Sequence, residues 1–440
     1  MPYPPAPAAP NRGRMPLLLA VIGGVVVLAV VAVIGVQLLG DDAGDPTPPG
    51  GSSYSGEFEH FATDYAHGWD AAATEENGSR EDATADMALG YWVTDSTLAR
   101  ISGSTATGFS RSDGSRQWQV EAPDGVEGIC AATTSQSGSL AALAYEAGEY
   151  SSCEEVWLVD AGTGERLSEV ELPDEETVTA LTVVDDTLVV GTYSGAFVID
   201  PASGEVLTEV AGSSECMAEG YVGAGAGLLL TSQTCEEESL LAFSLDGGER
   251  LWELDLPGGD AGSMSLLSAD PLVIAVSGED GGYYALSVDE RGEARAVIKY
   301  NQPCGELAIY PGVVQQGYSV TGDTLVAEVI GGDDTVLAGY SLVDGSEKWC
   351  LRGESDIPSN TTPLRADGDG VIAVSGDWET DPRLVWISAA DGAVTEGGRF
   401  AAEEVCEGSG DLCTLLDDGT LVDITEFTLY DYLVRTYRPE

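Results

Sequence analysis

The sequence predicts an all-β protein: a β-propeller of about eight four-stranded blades, with seven as the alternative, preceded by one transmembrane helix. Three observations lead to this prediction. A hairpin pattern recurs along the chain, its copies are regularly spaced, and one long apolar run lies near the N-terminus.

The recurring pattern is clearest from Ala242 to Leu254, which reads A-F-S-L-D-G-G-E-R-L-W-E-L. Apolar and polar residues alternate, a Gly-Gly turn interrupts them, and the alternation resumes up to a tryptophan. Period-two patterning on both sides of a turn that tolerates positive φ is typical of a β-hairpin. Related copies occur at Gly108–Trp118, Leu158–Ser168, Val198–Thr208 and Gly339–Trp349, with looser ones at Ala285–Gly292 and Trp386–Gly392.

The turn glycines set the repeat length. They are Gly114, Gly164, Gly204, Gly248, Gly292, Gly345 and Gly392, so successive copies are 50, 40, 44, 44, 53 and 47 residues apart. Two more apolar runs precede the hairpin in the third unit, which completes four strands. Four strands in about 40–50 residues are typical of a propeller blade. Residues 85–440 provide room for about eight blades, and we expect the eighth from Glu404–Tyr437, where no clean turn is visible.

The N-terminal part predicts a membrane anchor. Residues 1–14 form a Pro-rich cytoplasmic tail, and residues 15–40 lack charge and are long enough to span a bilayer. Arginines before the run and aspartates after it favour a cytoplasmic N-terminus and an extracellular propeller on a single-pass cell-membrane protein. Residues 41–84 are predicted as a stalk, although the spacing of Phe58, Phe61 and Tyr65 also fits a short helix docked on the domain. The propeller is expected to cover residues 85–440.

The charge excludes one class of partner. The chain has 18 basic and 75 acidic residues, a net charge of −57, which repels nucleic acid. Solubility or a saline habitat explains the acidity, and a cation-binding surface is the alternative. Histidine occurs only at His60 and His67, before the first repeat, so no histidine triad or histidine-ligated metal is expected among the repeats.

The pattern A-x-D-x-x-T-G-x-x-x-W resembles the repeat of the pyrroloquinoline-quinone (PQQ)-type β-propellers. The stretch from Leu158 to Gly164 keeps its Asp-Thr-Gly portion. Trp118, Trp252 and Trp349 keep its last residue. The resemblance implies that these tryptophans pack between neighbouring blades. The repeats around Ser168, Thr208 and Glu396 have lost the tryptophan, so we expect those junctions to be looser or packed otherwise.

The resemblance does not extend to a cofactor. No Cys-Cys pair occurs, and no residues match the calcium and quinone ligands of the dehydrogenases of this family. The chain is more similar to the non-catalytic propellers of bacterial cell surfaces, including assembly factors, and its use of arginine over lysine resembles actinobacterial proteins. We therefore predict no catalytic, cofactor-binding or metal-binding residues.

The predicted function is a monomeric binding or scaffold module for an envelope protein or polymer, contacted through a propeller face. The alternative is an enzyme that uses carboxylates on a small molecule or glycan in the channel. The first requires an exposed apolar or aromatic patch, and the second requires two facing carboxylates with raised pKa values.

Two acidic turns are compatible with calcium, at residues 331–334 and 367–370. Asp-Gly pairs are equally usual in hairpin turns.

Eight cysteines follow the predicted span, in a compartment where disulfides persist. Position in the repeat pairs Cys130 with Cys153 and Cys216 with Cys235, each from the start of a first strand to the end of a second. Cys406 and Cys413 would close the last unit, and elimination pairs Cys304 with Cys350. Each bridge is expected inside one blade.

Overall fold

The structure is a computed structural model, and it describes residues 54–440 except 75–86, 124–125, 127, 134–137, 148–151, 174–175, 185, 212–216, 235–237, 258–260, 279–282, 310–316, 332–333, 354–356, 359, 378–379, 404, 407–411 and 426–431. Within these residues no helix has the length and apolar character needed to cross a membrane. The predicted tail and span, residues 1–40, lie outside the described part.

The described chain forms eight antiparallel sheets, which confirms the eight-bladed propeller. We number them as blades 1–8 and name their strands inner, second, third and outer. Blade 1 contains Ala88–Val93, Thr97–Ser102, Thr105–Ser110 and Arg116–Glu121, and blade 2 contains Ile129–Ala132, Leu140–Ala147, Ser152–Asp160 and Arg166–Val170. Blade 3 contains Val178–Val184, Thr187–Thr192, Gly195–Ile199 and Val206–Ala211, and blade 4 contains Met217–Gly225, Leu228–Thr234, Glu238–Ser244 and Arg250–Asp255.

Blades 5 to 7 follow the same order, and blade 8 takes its outer strand from the N-terminal side. Blade 5 contains Ala261–Ala269, Leu272–Gly278, Tyr283–Val288 and Ala294–Lys299. In blade 6 the inner strand has two parts, Glu306–Leu307 and Tyr318–Thr321, and the others are Thr324–Gly331, Asp334–Ser341 and Glu347–Leu351. Blade 7 contains Asn360–Asp367, Gly370–Asp377, Thr380–Ser388 and Val394–Arg399, and blade 8 contains Leu412–Leu415, Leu421–Ile424, Tyr432–Pro439 and Tyr65–Ala72.

Each blade is apolar on both faces because it lies between two others. In the second strand of blade 3, Leu188 and Val190 pack toward blade 2, whereas Val189 packs toward blade 4. Eight clusters of buried apolar side chains occupy the eight junctions between successive blades, including the junction between blades 8 and 1. This two-sided burial explains why the second strands read as continuous apolar runs.

The hairpin glycines lie where the sequence places them. All seven have positive φ, between 64° at Gly248 and 80° at Gly292. In blade 2, for example, the Gly164 N–H donates to the carbonyl of Asp160 at 2.7 Å. A side chain at such a φ is strained, so the repeated glycine is required by the backbone.

The ring is closed by the two ends of the described chain. Tyr65–Ala72 pairs antiparallel with Tyr432–Pro439, so one N-terminal strand completes a sheet whose other three strands are C-terminal. The boundary predicted at residue 85 is therefore wrong, since Tyr65–Ala72 belongs to the propeller rather than to a stalk. The pairing of these two strands also explains why the last repeat shows no hairpin turn, because the third and outer strands of blade 8 are not consecutive in the sequence.

The segment before this strand docks on blade 7. Phe58, Phe61 and Tyr65 are buried in the cluster between blades 7 and 8, through a turn rather than the predicted short helix. The Gly398 N–H donates to the Phe61 carbonyl at 2.8 Å. A Cβ atom at Gly398 would overlap the Thr63 carbonyl, so this close approach requires a glycine.

We predict that Gly398→Ala weakens ring closure, because the added methyl group must displace the backbone at Thr63. The free energy of unfolding should fall by about 1–3 kcal/mol, the usual cost of overpacking. Thermal unfolding and limited proteolysis of the residues near Thr63 measure the effect. Gly247→Ala is the control, because a Cβ atom there meets no atom within 4 Å. Equal behaviour of the two variants would contradict this account of closure.

Candidate functional site

A concave groove lies at the junction of blades 8, 1 and 2. Two adjoining cavities of about 750 and 670 Å³ form it, and they share Asp95, Ser96, Arg111, Gly162 and Asp418. The shared residues come from the turns that follow the inner strands of blades 1 and 8 and the third strands of blades 1 and 2. The groove therefore lies beside the closure of the ring.

An ion pair and two hydrogen bonds to carbonyl groups lie inside this groove. Arg111 contacts Asp418 at 2.5 Å and donates to the Thr94 carbonyl at 2.9 Å, and Arg438 donates to the Arg111 carbonyl. Burial opposes ionisation of Asp418, but hydrogen bonds from Thr420 and the charge of Arg111 hold its pKa below the usual range. The groove therefore offers charged and hydrogen-bonding groups, and it suits a polar surface.

An apolar row lies on the outer rim. Leu167, Leu207 and Leu251 each stand three residues after the hairpin glycine, on the outer strands of blades 2, 3 and 4. Their exposed fractions are 52%, 61% and 50%. The same position in blades 1, 5, 6 and 7 holds Gln117, Arg295, Lys348 and Thr395. We call these three leucines the leucine row; they are apolar side chains at the surface of three consecutive blades.

The three tryptophans predicted to dock between blades contact the next blade. Trp118 packs on Gly164, Trp252 on Gly292 and Trp349 on Gly392. The Trp118 and Trp349 indoles also donate to turn carbonyls of the next blade, at 3.0 and 3.1 Å.

The sequence reading missed a fourth tryptophan of this kind. Trp69 packs on Gly114 and donates to the Arg111 carbonyl at 3.0 Å, from the strand that closes the ring. Trp69 could have been compared with the other tryptophans, but it lies before the first copy of the hairpin pattern along the chain.

Within the described residues three disulfides are present, and each lies inside one blade: Cys130–Cys153, Cys304–Cys350 and Cys406–Cys413. Cys304 and Cys350 lie at the start and the end of one repeat, as predicted, whereas the strand positions in the other two bridges differ from the predicted ones. Cys153 lies in a third strand, not at the end of a second strand, and Cys406 precedes the inner strand that contains Cys413. The remaining predicted pair, Cys216 and Cys235, lies outside the described residues.

The acidic turn at Asp367 and Asp369 holds the N-terminal segment. Asp367 accepts hydrogen bonds from the Tyr54 hydroxyl at 2.5 Å and the Glu57 N–H at 2.9 Å, and Asp369 accepts one from Ser55 at 2.5 Å. These carboxylates are thus engaged in attaching the chain to blade 7. The other calcium candidate includes residues 332–333, which are not described.

One buried carboxyl group has a strongly raised pKa. Burial raises the pKa of Glu328 to about 7, and a hydrogen bond with Thr362 opposes this only partly. Glu328 lies in the second strand of blade 6, beside the interruption of the inner strand: its N–H donates to the Gly317 carbonyl at 2.7 Å. The raised pKa comes from burial rather than from a facing carboxylate, so Glu328 does not form the pair that a glycosidase requires.

We predict a pH-dependent gain in stability for Glu328→Gln. A glutamic acid with a pKa of 4.5 when unfolded and about 7 when folded stabilises the fold below pH 4.5 relative to higher pH, and this contribution is lost as the pH rises through 7. The variant lacks this loss, so at pH 8 its stability relative to wild type should be about 3 kcal/mol greater than at pH 4.5. Denaturant unfolding at both pH values measures the difference, and a pH-independent difference would contradict the assignment.

Comparison with known proteins supports the repeat assignment. Residues 152–296 match the PQQ-type family described as outer membrane protein assembly factor BamB. This match confirms the resemblance to PQQ-type propeller repeats across a third of the chain. No curated protein matches the chain.

Two solved structures are similar to this chain at low sequence identity. The computationally designed Ika8 protein is 12% identical, and the alignment covers 84% of this chain and 99% of that one with a TM-score of 0.54. BamB from Moraxella catarrhalis is 16% identical, with coverage of 79% and 95% and a TM-score of 0.49. At these identities the likeness concerns the fold alone.

Proposed function

We propose that the protein is a binding module of the cell envelope that holds a partner protein on its outer rim. The leucine row carries this proposal: three half-exposed leucines occupy one repeat position in three consecutive blades, while blades 1, 5, 6 and 7 have polar residues there. Rigid packing at all eight junctions keeps the three leucines at fixed separations. A partner can therefore meet them as one preformed surface.

Membrane attachment is part of the proposal. The uncharged residues 15–40 would anchor the chain with the N-terminus in the cytoplasm and the propeller outside. The net charge of −57 favours a partner surface with positive charge and disfavours a second copy of this chain. We assign no cofactor and no catalytic step to the module.

We expect the variant Leu167→Gln, Leu207→Gln, Leu251→Gln to lose its partner. Each leucine should contribute about 1 kcal/mol when its exposed half is buried, so the three together should weaken binding at least tenfold. The measurement is quantitative mass spectrometry of proteins cross-linked to the full-length chain in native cells.

The matched control replaces the polar residues of the same repeat position: Arg295→Gln, Lys348→Gln, Thr395→Gln. Both variants should unfold at the wild-type temperature, because these side chains are at the surface. Equal recovery of cross-linked proteins with wild type and the leucine variant would rule out the rim as the binding surface.

A further inference from the structure

The groove at the junction of blades 8, 1 and 2 lies where the repeat is interrupted. In the other seven blades a hairpin joins the third strand to the outer strand, but in blade 8 these two strands come from opposite ends of the described chain. The larger cavity is lined at this place by Arg438 and Pro439, at the end of the third strand, and by His60, which precedes the outer strand. Its volume of about 750 Å³ is typical of a ligand site.

The junctions without a tryptophan are closed by other groups. Backbone or side-chain atoms pack against the hairpin glycine in three of them: the Glu169 carbonyl at Gly204, the Thr208 methyl group at Gly248 and the Val297 backbone at Gly345. Beside Glu396, the Thr63 carbonyl packs against Gly398. Packing otherwise, as predicted for the repeats around Ser168, Thr208 and Glu396, is thus observed. The space of the groove therefore accompanies the missing hairpin of blade 8 rather than a missing tryptophan.

The charge of the groove differs from that of the whole chain. The chain has 75 acidic residues against 18 basic ones. The larger cavity is lined instead by two arginines and a histidine against two aspartates, namely Arg111, Arg438, His60, Asp95 and Asp418. These side chains sum to zero charge with a neutral histidine and to a positive charge with a protonated one. An anion therefore meets less repulsion here than the composition of the chain would lead one to expect.

Arg438 is the cation in the groove that has donors to spare. Within the described residues its guanidinium donates to the Arg111 carbonyl and forms no ion pair. Asp418 lies near enough to feel the charge of Arg438, but it is paired with Arg111 and accepts a hydrogen bond from the Thr420 N–H at 3.0 Å. Most of the N–H groups of Arg438 are thus left for a ligand.

His60 lies beside Arg438 and also has capacity for a ligand. Its ring and that of Pro439 pack against the same glycine: a Cβ atom on Gly419 would be 2.7 Å from the imidazole and 2.6 Å from the proline ring. Gly419 has φ of 85°, so both the backbone and this close approach require a glycine. The imidazole is half-buried and makes no hydrogen bond within the described part of the chain, and its ring nitrogens can donate.

The neighbouring groups indicate which anion fits. Asp95 and Asp418 also line the groove, so a carboxylate, with one negative charge, is repelled less than a phosphate group, which carries up to two. The hydroxyl groups of Ser96 and Ser112 are exposed in the same cavity and can both donate and accept. A peptide backbone needs both kinds of partner. These groups therefore suit a carboxylate at the end of a peptide.

We propose that the groove binds the free C-terminal carboxylate of an extended peptide, with the carboxylate between Arg438 and His60 and the backbone against the hydroxyl groups of Ser96 and Ser112. A guanidinium fork matches the two oxygens of a carboxylate. The site uses blades 8 and 1 and none of the leucine row, so it goes beyond the rim function and is independent of it.

The test is calorimetric titration of the full-length protein with acetyl-trialanine and with its C-terminal amide. Wild type should bind the free acid at least tenfold more tightly, because charge-assisted hydrogen bonds form only with the carboxylate. Arg438→Gln should reduce this preference to less than threefold. His60→Gln should weaken binding of the acid several-fold, and this variant keeps the test valid if Arg438→Gln unfolds.

The control is Arg291→Gln, which removes an exposed arginine from the hairpin of blade 5 and should bind like wild type. Inorganic phosphate is titrated as a second probe and should bind more weakly than the free acid. Equal affinity for acid and amide, or a preference that survives both Arg438→Gln and His60→Gln, would overturn the proposal. Phosphate binding as tight as that of the peptide would reject the carboxylate assignment. The leucine variant should bind the free acid like wild type, so the groove and the rim are tested separately.

Discussion

The structure depends on one set of hydrogen bonds, those between Tyr65–Ala72 and Tyr432–Pro439. An eight-bladed ring has two chain ends to join, and apolar packing between blades 8 and 1 requires that both be held in register. The closing strand also carries Trp69 to the next hairpin, and the segment before it is bound by Asp367 and Asp369 of blade 7. Sheet pairing, indole packing and polar contacts thus act at the same place.

Once the ring is closed, each blade is fixed by its neighbours, and the proposed binding surface depends on variation at equivalent positions. The hairpin glycine is constant because its φ requires it. The position three residues after this glycine varies between blades, and among the seven hairpins it is leucine only in blades 2, 3 and 4. The position after that selects how a junction is filled. At Ser168, for example, the Glu169 carbonyl rather than an indole lies against the Gly204 hairpin of the next blade.

Local patterning was sufficient to predict most of the fold. Alternation and turn glycines identified the hairpins, and their spacing gave the blade count, because both depend on residues close in sequence. Ring closure was not predictable in this way, since Trp69 and Gly114 meet only when the two ends of the domain join. Repeat position predicted the partners in Cys130–Cys153 and Cys406–Cys413, and elimination gave Cys304–Cys350. Cys153 was assigned to the wrong strand because strand lengths vary between blades. Exposure of the leucines could not be read from sequence, as an apolar residue in an alternating strand is ordinarily expected to be buried.

Hydrogen exchange of the native protein tests the closure most directly. If Tyr65–Ala72 is the outer strand of blade 8, its paired amides should be protected and should exchange together with those of Tyr432–Pro439, because breaking one strand exposes the other. Fast exchange of the Tyr65–Ala72 amides while those of Tyr432–Pro439 stay protected would contradict this account. It would indicate that Tyr65–Ala72 belongs to a stalk, as the sequence predicted.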